Sequence, residues 1–365
     1  MGKDTIKLTR KIQLLIDLPT YEERKEAIGK LYQWQNRSYR VANLMVSHFY
    51  VQEMIHEFFY LSDHIKYKLA DEKKDEDGIF KTSRINTTYQ VTSKRFKGEM
   101  PTNIISCLKA SLYSRFKKNR EAYWKGECSL QNFRRDMAFP FTTEGMSKLI
   151  YDPEKKAFCF RLFQIPVKTY LGKDFTDKRK LLERVAKGEI KLCTSHIKMK
   201  EDKTFWLAVF EIEKEKHELK PNVIAEASLS LEYPIVVKTS NAKLQIGSRE
   251  EFLYRRLAIQ AALKKTQKGA SYCKSGKGRK RKTKATKKFR EKESNYVYSR
   301  LHLYSRKLIE FCIKHQAGTL ILIDQKEKVS LAKEEDFVLR NWSYCDLVTK
   351  IKYKAEKAGI ELITD

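Results

Sequence analysis

The 365-residue chain carries 75 lysines and arginines against 46 aspartates and glutamates, a net charge of +29. An excess of that size excludes an ordinary near-neutral enzyme and points to a phosphate polyanion as partner, because each neutralised phosphate releases counterions. Hydrophobic residues make up 41% and aromatics 12%, which excludes a mostly disordered chain and supports several folded domains.

The longest apolar runs, such as Leu320–Ile323, fall far short of a bilayer crossing. The polar start Met1-Gly2-Lys3-Asp4 carries no apolar signal segment. The expected location is the cytoplasm, with no membrane partner. The seven cysteines are scattered and never form a CxxC pair, which argues against a zinc ribbon and a disulfide framework. His48, His56 and His64 recur every eight residues but lack an acidic partner set, so no metal site is assigned and no cofactor is expected.

In chain order, residues 1–18 read as a basic lead or first strand. Residues 19–136 read as a helical lobe. Pro19 and Thr20 precede a long stretch with Leu31, Trp34, Tyr39, Leu44, Val46, Tyr50, Met54, Phe58 and Leu61 at helical spacing. The charged run Asp71–Asp77 reads as a loop. A second helix opens at Pro101 through Ile104, Leu108, Leu112 and Phe116. Residues 137–220 read as a mostly β domain, with strands at Ala138–Thr142, Phe158–Phe163 and Thr204–Ile212 and a short helix near Lys178–Lys187.

Residues 221–365 change character again. Strands are expected at Val223–Ala227, Pro234–Thr239 and Ala242–Ile246, the last two joined at Ser240–Asn241. A basic helix covers about Glu250–Lys265. Segment 274–292 holds 11 Lys/Arg among 19 residues, with Gly276 and Gly278 giving it a mobile start. A helix follows from about Ser294 to His315, with Val297, Leu301, Tyr304, Leu308 and Phe311 on one face and Gly318 ending it. Then come a buried strand at Thr319–Ile323, a helix at Tyr344–Ala358 and a strand at Ile360–Ile363. Three strands, helix, strand, helix, strand is the order of an RNase H-like core.

Several phrases resemble the transposon TnpB family and the related type V CRISPR effectors. Glu232-Tyr233-Pro234 with Ile235-Val236-Val237 resembles the exit of the first RuvC strand, and Gly278-Arg279-Lys280-Arg281-Lys282 resembles that family's basic loop. Arg290 to Tyr296, with His302 and Ser305-Arg306, resembles the helix that follows the loop. Asn341-Trp342-Ser343 and Tyr353-Lys354-Ala355, ending at Gly359-Ile360, resemble the region before its zinc ribbon. The resemblance implies an α+β multidomain fold: a helical recognition lobe inserted in a β-barrel wedge domain, then a RuvC-like α/β domain.

The chemistry of that family needs three carboxylates around two divalent metals. Counting six residues back from Pro234 puts Ser228 at the first position, and a count from the other strand end puts Ala227 there. The second position falls on Ile323, with Asp324 one place on and so directed to the opposite face. The third position and the zinc-ribbon cysteines lie beyond the equivalent of Ile363, so a truncated, inactive RuvC-like domain is expected. The resemblance is therefore to the TnpB-like nuclease-dead repressors.

A guide RNA and a double-stranded target DNA bearing a short adjacent motif are the partners the resemblance implies, with one protein per guide. Expected RNA and DNA contacts are Lys277, Arg279, Lys280, Arg281, Lys282, Lys284, Lys287, Lys288 and Arg290. Expected motif contacts are Thr102, Asn103, Ser106 and Lys109, with Asn36, Arg37 and Arg40 as the other candidate set. The expected function is transcriptional repression without cleavage. The alternatives are an active RNA-guided endonuclease using displaced acids such as Asp324, and a guide-independent RNA-binding protein.

Overall fold

The computed structural model describes residues 5–59, 83–172, 177–201, 203–229, 233–273, 275–323 and 344–364. The expected Asp71–Asp77 loop, Asp324 and the Asn341-Trp342-Ser343 phrase lie outside them. The chain divides into two compact units, Lys7–Ile212 and Met1–Ile6 with Glu213–Asp365.

The first unit carries helices α1 (Tyr21–Phe59), α2 (Arg84–Arg95), α3 (Thr102–Trp124) and α4 (Lys178–Ala186). Its strands are β1 (Thr5–Ile16), β2 (Phe139–Phe141), β3 (Ile150–Asp152), β4 (Ala157–Leu162), β5 (Ile165–Tyr170), β6 (Lys191–Lys200) and β7 (Lys203–Glu213). They form one sheet in the order β2-β6-β7-β1-β5-β4-β3. A barrel is expected from the sequence, but the described strands leave this sheet open. The edge strands β2 and β3 are three residues each, too short to supply a closing ladder.

Strand β1 runs through the middle of that sheet. Ile6, Leu8, Ile12 and Leu14 alternate inward and are buried, while Lys7, Thr9 and Lys11 face out. In β6 the alternation breaks at a register shift between Cys193 and His196, a bulge that moves Ile197 and Met199 onto the inner face. The β4–β5 turn places Phe163 and Gln164 at φ 45° and 71°. Phe163 packs edge-on to Trp34 at 5.4 Å. Gly145 leaves it room, since a Cβ there would lie 2.6 Å from the ring.

Helix α1 starts with a capping box. Thr20 Oγ1 accepts from the Glu23 amide at 3.2 Å, and Glu23 Oε2 accepts from the Thr20 amide at 3.2 Å. Two amide side chains then lock α1 to the β part of the unit. Gln35 Oε1 accepts from the Met199 amide at 2.7 Å. Asn43 donates to Phe133 O at 3.0 Å and accepts from the Phe133 amide at 2.8 Å.

In the second unit β8 (Lys220–Ser228), β9 (Ile235–Lys238), β10 (Lys243–Ile246), β11 (Ala317–Ile323) and β12 (Glu361–Thr364) form a sheet in the order β10-β9-β8-β11-β12. The β10–β9 and β9–β8 pairs are antiparallel, and β8–β11 and β11–β12 are parallel. Helices α5 (Arg249–Ser271), α6 (Gly276–Lys314) and α7 (Tyr344–Ala358) complete the unit.

The core is built on one sheet face. Ala225 and Ala227 of β8 and Leu320 and Leu322 of β11 meet Leu301, Tyr304 and Leu308 of α6 and Leu347 and Ile351 of α7. Gly318 does not end a helix, contrary to the expectation from its place in the sequence. Helix α6 stops at Lys314, and Gly318 sits inside β11 where a Cβ would lie 2.8 Å from Lys220 O. No described helix is long and apolar enough to cross a membrane.

Lys354 of α7 donates to His302 O at 2.6 Å and to Ser305 Oγ at 2.9 Å, tying α7 to α6. Burial, with the charges of Arg306 and Lys350, pulls its pKa down to about 8. Above pH 8 the folded protein releases this proton while the unfolded chain keeps it until roughly pH 10.4, so stability rises with pH across that window. Melting curves at pH 8 and pH 10 should show the protein gaining stability relative to its Lys354→Met variant.

Candidate nucleic-acid interface

Helices α5 and α6 form an antiparallel hairpin joined at Tyr272–Ser275. Ser248 caps α5 by accepting from the Glu251 amide at 3.2 Å, and Ser275 caps α6 by accepting from the Gly278 amide at 3.2 Å. The basic segment is therefore helical rather than a loop with a mobile start. Lysine and arginine are good helix formers. Gly276 and Gly278 fall in the first turn of α6, where they weaken it least.

The hairpin has a neutral seam and cationic flanks. Thr286 and Phe289 of α6 are half-buried, as are Ile259, Ala262, Leu263 and Thr266 of α5. Lys277, Lys280, Arg281, Lys284, Lys287, Lys288 and Arg290 are exposed along α6, and Lys264, Lys265 and Lys268 along α5. Arg279 and Lys282 lie on the same helix. The α5 lysines are absent from the contacts expected from the sequence, although Ser248-x-x-Glu251 marks the start of their helix.

At the base of the hairpin the seam becomes polar. Arg256 Nε meets Glu293 Oε1 at 2.7 Å with side-chain exposures of 9% and 18%, and Gln260 donates to the same oxygen at 3.2 Å. Arg300 pairs with Glu251 at 2.7 Å, and Tyr296 donates to Glu251 O at 3.1 Å.

The outer face of the seven-stranded sheet holds a second cationic group. Lys198 of β6 is the register partner of Phe205 of β7, and Lys11 Nζ of β1 lies 3.9 Å from the Phe205 ring centre. Burial, then the neighbouring Lys200 and Lys198 charges, hold Lys11 below the ordinary lysine pKa. The β1 alternation carries this face, within the segment read from the sequence as a basic lead or first strand.

The two positions assigned to the family's first carboxylates are neighbours. Ser228 of β8 and Ile323 of β11 are direct register partners, and Val236 of β9 lies on the other side of Ser228. All three are half-buried and face away from the helical core. Ala227, the other candidate for the first position, points into that core and is fully buried. The nearest carboxylate along β8 on the Ser228 face is Glu226, which pairs with Lys238 at 2.8 Å. Among the described residues no group of three or more His, Cys, Asp or Glu could hold a metal ion. His48 is bonded to Thr88 Oγ1 at 2.8 Å and Gln52 Nε2 at 2.7 Å, and burial holds its pKa below the usual histidine value.

The motif candidates divide. Asn103 is committed inside the fold: it donates to Thr142 Oγ1 at 2.7 Å and Glu144 Oε2 at 3.1 Å, and accepts from the Thr142 amide at 3.2 Å. Lys109 Nζ lies 4.7 Å from the Tyr89 ring centre, Ser106 is half-buried, and Thr102 is exposed. The other set borders a groove of about 560 Å³ lined by Arg37, Arg40, Asn43, Arg95 and Glu99, with Asn36 exposed on the same helix. Arg37 is spent on Glu99 at 2.6 Å.

A solved chain, described as the cryo-EM structure of the Cas12f1-sgRNA-target DNA complex, aligns over 99% of this chain and 89% of its own, with a TM-score of 0.70 and 14% identity. The chain shares its fold with Cas12f1. Two curated relatives carry the name CRISPR-associated endodeoxyribonuclease Cas12f1. The one from Sulfoacidibacillus thermotolerans is 25% identical over 268 residues, 68% of this chain and 62% of the relative. The one from Syntrophomonas palmitatica is 36% identical over 109 residues, 30% of this chain and 21% of the relative. The chain thus spans less than two thirds of either relative. No family model matches it. The likeness to Cas12f1 supports the CRISPR-effector side of the resemblance read from the sequence phrases.

Removing the Glu293 carboxylate leaves the Arg256 guanidinium buried without its ion partner, which costs about 3–5 kcal/mol at such sites. Glu293→Ala should lower the chemical-denaturation midpoint accordingly. The double variant Arg256→Met/Glu293→Leu should recover most of that stability.

Proposed function

We propose that the protein binds a guide RNA and, through it, a matching DNA duplex, and represses transcription there without cutting. The binding half rests on the exposed cations of the α5–α6 hairpin. Clustered along two packed helices, they make a cationic surface that attracts a polyanion. Lys11, Lys198 and Lys200, of which Lys198 also pairs with Asp136 at 3.3 Å, are the second surface this reading assigns to the guide. The solved Cas12f1 relative is a complex with sgRNA and target DNA, and sequence would be read by base pairing, with the protein reading backbone shape. For the adjacent DNA motif, the groove lined by Arg40, Asn43 and Arg95, with Asn36 exposed on the same helix, is favoured over the Asn103 face. Its side chains carry the donors that read base edges, whereas Asn103 is occupied.

The observation that supports loss of cutting is the pairing of Ser228 with Ile323. Two-metal phosphodiester cleavage needs carboxylate oxygens at neighbouring strand ends. Here the row holds a hydroxyl and aliphatic side chains, and Glu226 is neutralised by Lys238. A protein that stays on its target without cutting blocks RNA polymerase over a promoter.

The test is co-expression with the flanking RNA and a matching target upstream of a reporter, in magnesium. The expected outcome is intact target DNA and reduced reporter output. Magnesium-dependent cleavage would overturn the reading. Such cleavage would favour the second reading, an active nuclease, which the names of the curated relatives recommend. Asp324→Ala would then abolish it.

A quantitative check concerns the hairpin. Replacing Lys280, Arg281, Lys284 and Lys288 with alanine should flatten the dependence of log affinity on log salt by roughly 0.7–0.9 for each phosphate no longer neutralised. Far-ultraviolet circular dichroism should stay unchanged, since alanine keeps the helix.

A further inference from the structure

The cationic surface of the hairpin does not stop where α6 meets the sheet. Helix α6 is unbroken over 39 residues, so at about 100° per residue its exposed positions can be placed in phase. Lys280, Lys287 and Tyr298 fall within about 20° of one line along the helix, with Glu291 the carboxylate on that line. Lys280 and Tyr298 stand roughly 27 Å apart on it, well inside the length of a ~20-base-pair duplex. Tyr298 is 59% exposed.

At Tyr298 a second helix joins the line. Lys350 Nζ of α7 lies 4.4 Å from the Tyr298 ring centre, and the His302 ring packs against the same tyrosine with centres 4.4 Å apart. One turn further along α7, Lys354 Nζ donates to His302 O at 2.6 Å and to Ser305 Oγ at 2.9 Å. An ammonium group carries three N–H donors, so one remains for a further acceptor.

The charges around this point are unbalanced. Arg306 and Glu310 of α6 and Lys350 and Lys357 of α7 surround Lys354. Glu310 meets Arg306 at 3.2 Å, an exposed pair of the kind that contributes little, and Lys357 meets Glu215 at 2.5 Å. Among the described residues Lys350 and Lys354 have no carboxylate partner; their contacts are the tyrosine ring, a carbonyl and a hydroxyl. Burial, then the Arg306 and Lys350 charges, pull the Lys354 pKa down to about 8. An anion placed beside it would hold its proton on.

We propose that Lys350 and Lys354, beside Arg306, seat a phosphodiester of the same nucleic acid that lies on the hairpin, so that one backbone runs from the tip of α6 onto α7. The inference rests on the reading that the hairpin binds nucleic acid. A phosphodiester is favoured over a free phosphate ion by the line shared with Lys280 and Lys287, which a lone ion would not use.

The experiment titrates the full chain with a labelled RNA–DNA duplex of about 20 base pairs over a salt series. Lys350→Ala should lower the slope of log affinity against log salt by about 0.7–0.9, the share of one phosphate. Lys352→Ala, exposed about 200° round α7 from Lys350, should leave the slope unchanged. Affinity should fall by up to about tenfold between pH 7 and pH 9 as Lys354 gives up its proton, and Lys354→Arg, which keeps the charge, should remove that fall. An unchanged slope in folded Lys350→Ala, or an equal drop in Lys352→Ala, would overturn the proposal. A pH dependence that persists in Lys354→Arg would overturn the role of Lys354. Inorganic phosphate binding that Lys350→Ala abolishes, with the duplex slope intact, would make the seat a free-anion site and overturn the phosphodiester. Failure of the hairpin reading shows separately, as an unchanged slope when Lys280, Arg281, Lys284 and Lys288 are replaced with alanine.

Discussion

One packing contact carries the second unit: the apolar face of α6 against the sheet. Leu301, Tyr304 and Leu308 are almost fully buried with Ala225, Ala227, Leu320 and Leu322. Each fully buried leucine contributes roughly 1.5–3 kcal/mol of transfer free energy. That stabilisation offsets the electrostatic strain of the same helix's other half, where ten cationic residues fall between Gly276 and Lys292. The small alanines of β8 let α6 lie close to the strands. The helix then continues beyond the sheet as a charged rod packed against α5, with the Arg256–Glu293 pair at its base.

The same arrangement separates binding from chemistry. The helices cover one face of the sheet and leave Ser228, Ile323 and Val236 on the other. That face carries the positions that the resemblance assigns to metal ligands, and its row of Ser228, Ile323 and Val236 is neutral. The cations meanwhile stand on a different element. Under the proposed reading, loss of the first need not disturb the second, since the two share no side chain. This independence is what makes a binding protein without cutting physically reasonable, and it is consistent with a shared fold in relatives named as nucleases.

Much of this was legible in the sequence, and the failures have identifiable causes. The α6 face from Val297 to Phe311 and the strands β8 to β12 were readable because their apolar periods are unbroken. β6 was not, because its bulge between Cys193 and His196 shifts the period by one. β1 was read only as a lead or first strand, because its lysines occupy the outward positions of a clean alternation. The helical nature of 274–292 was hidden because its seam uses threonine and half-buried Phe289 rather than a leucine stripe. Asn103 looked like a polar surface residue, and only the fold reveals that Thr142 and Glu144 occupy it. The pairing of Ser228 with Ile323 was implicit in two separate counts. Their adjacency across a parallel ladder required the sheet.

The continuity of α6 has a consequence for how its length can vary. A residue inserted between Phe289 and Glu293 would rotate everything toward the tip by about 100° relative to the core, turning solvent-facing cations into the α5 seam and seam residues out. A residue inserted at the Tyr272–Ser275 turn would extend the hairpin without altering its phase. Reach can therefore drift at the tip, while the angular position of the charges is fixed from the core outward, as the thread of a screw is fixed by its head.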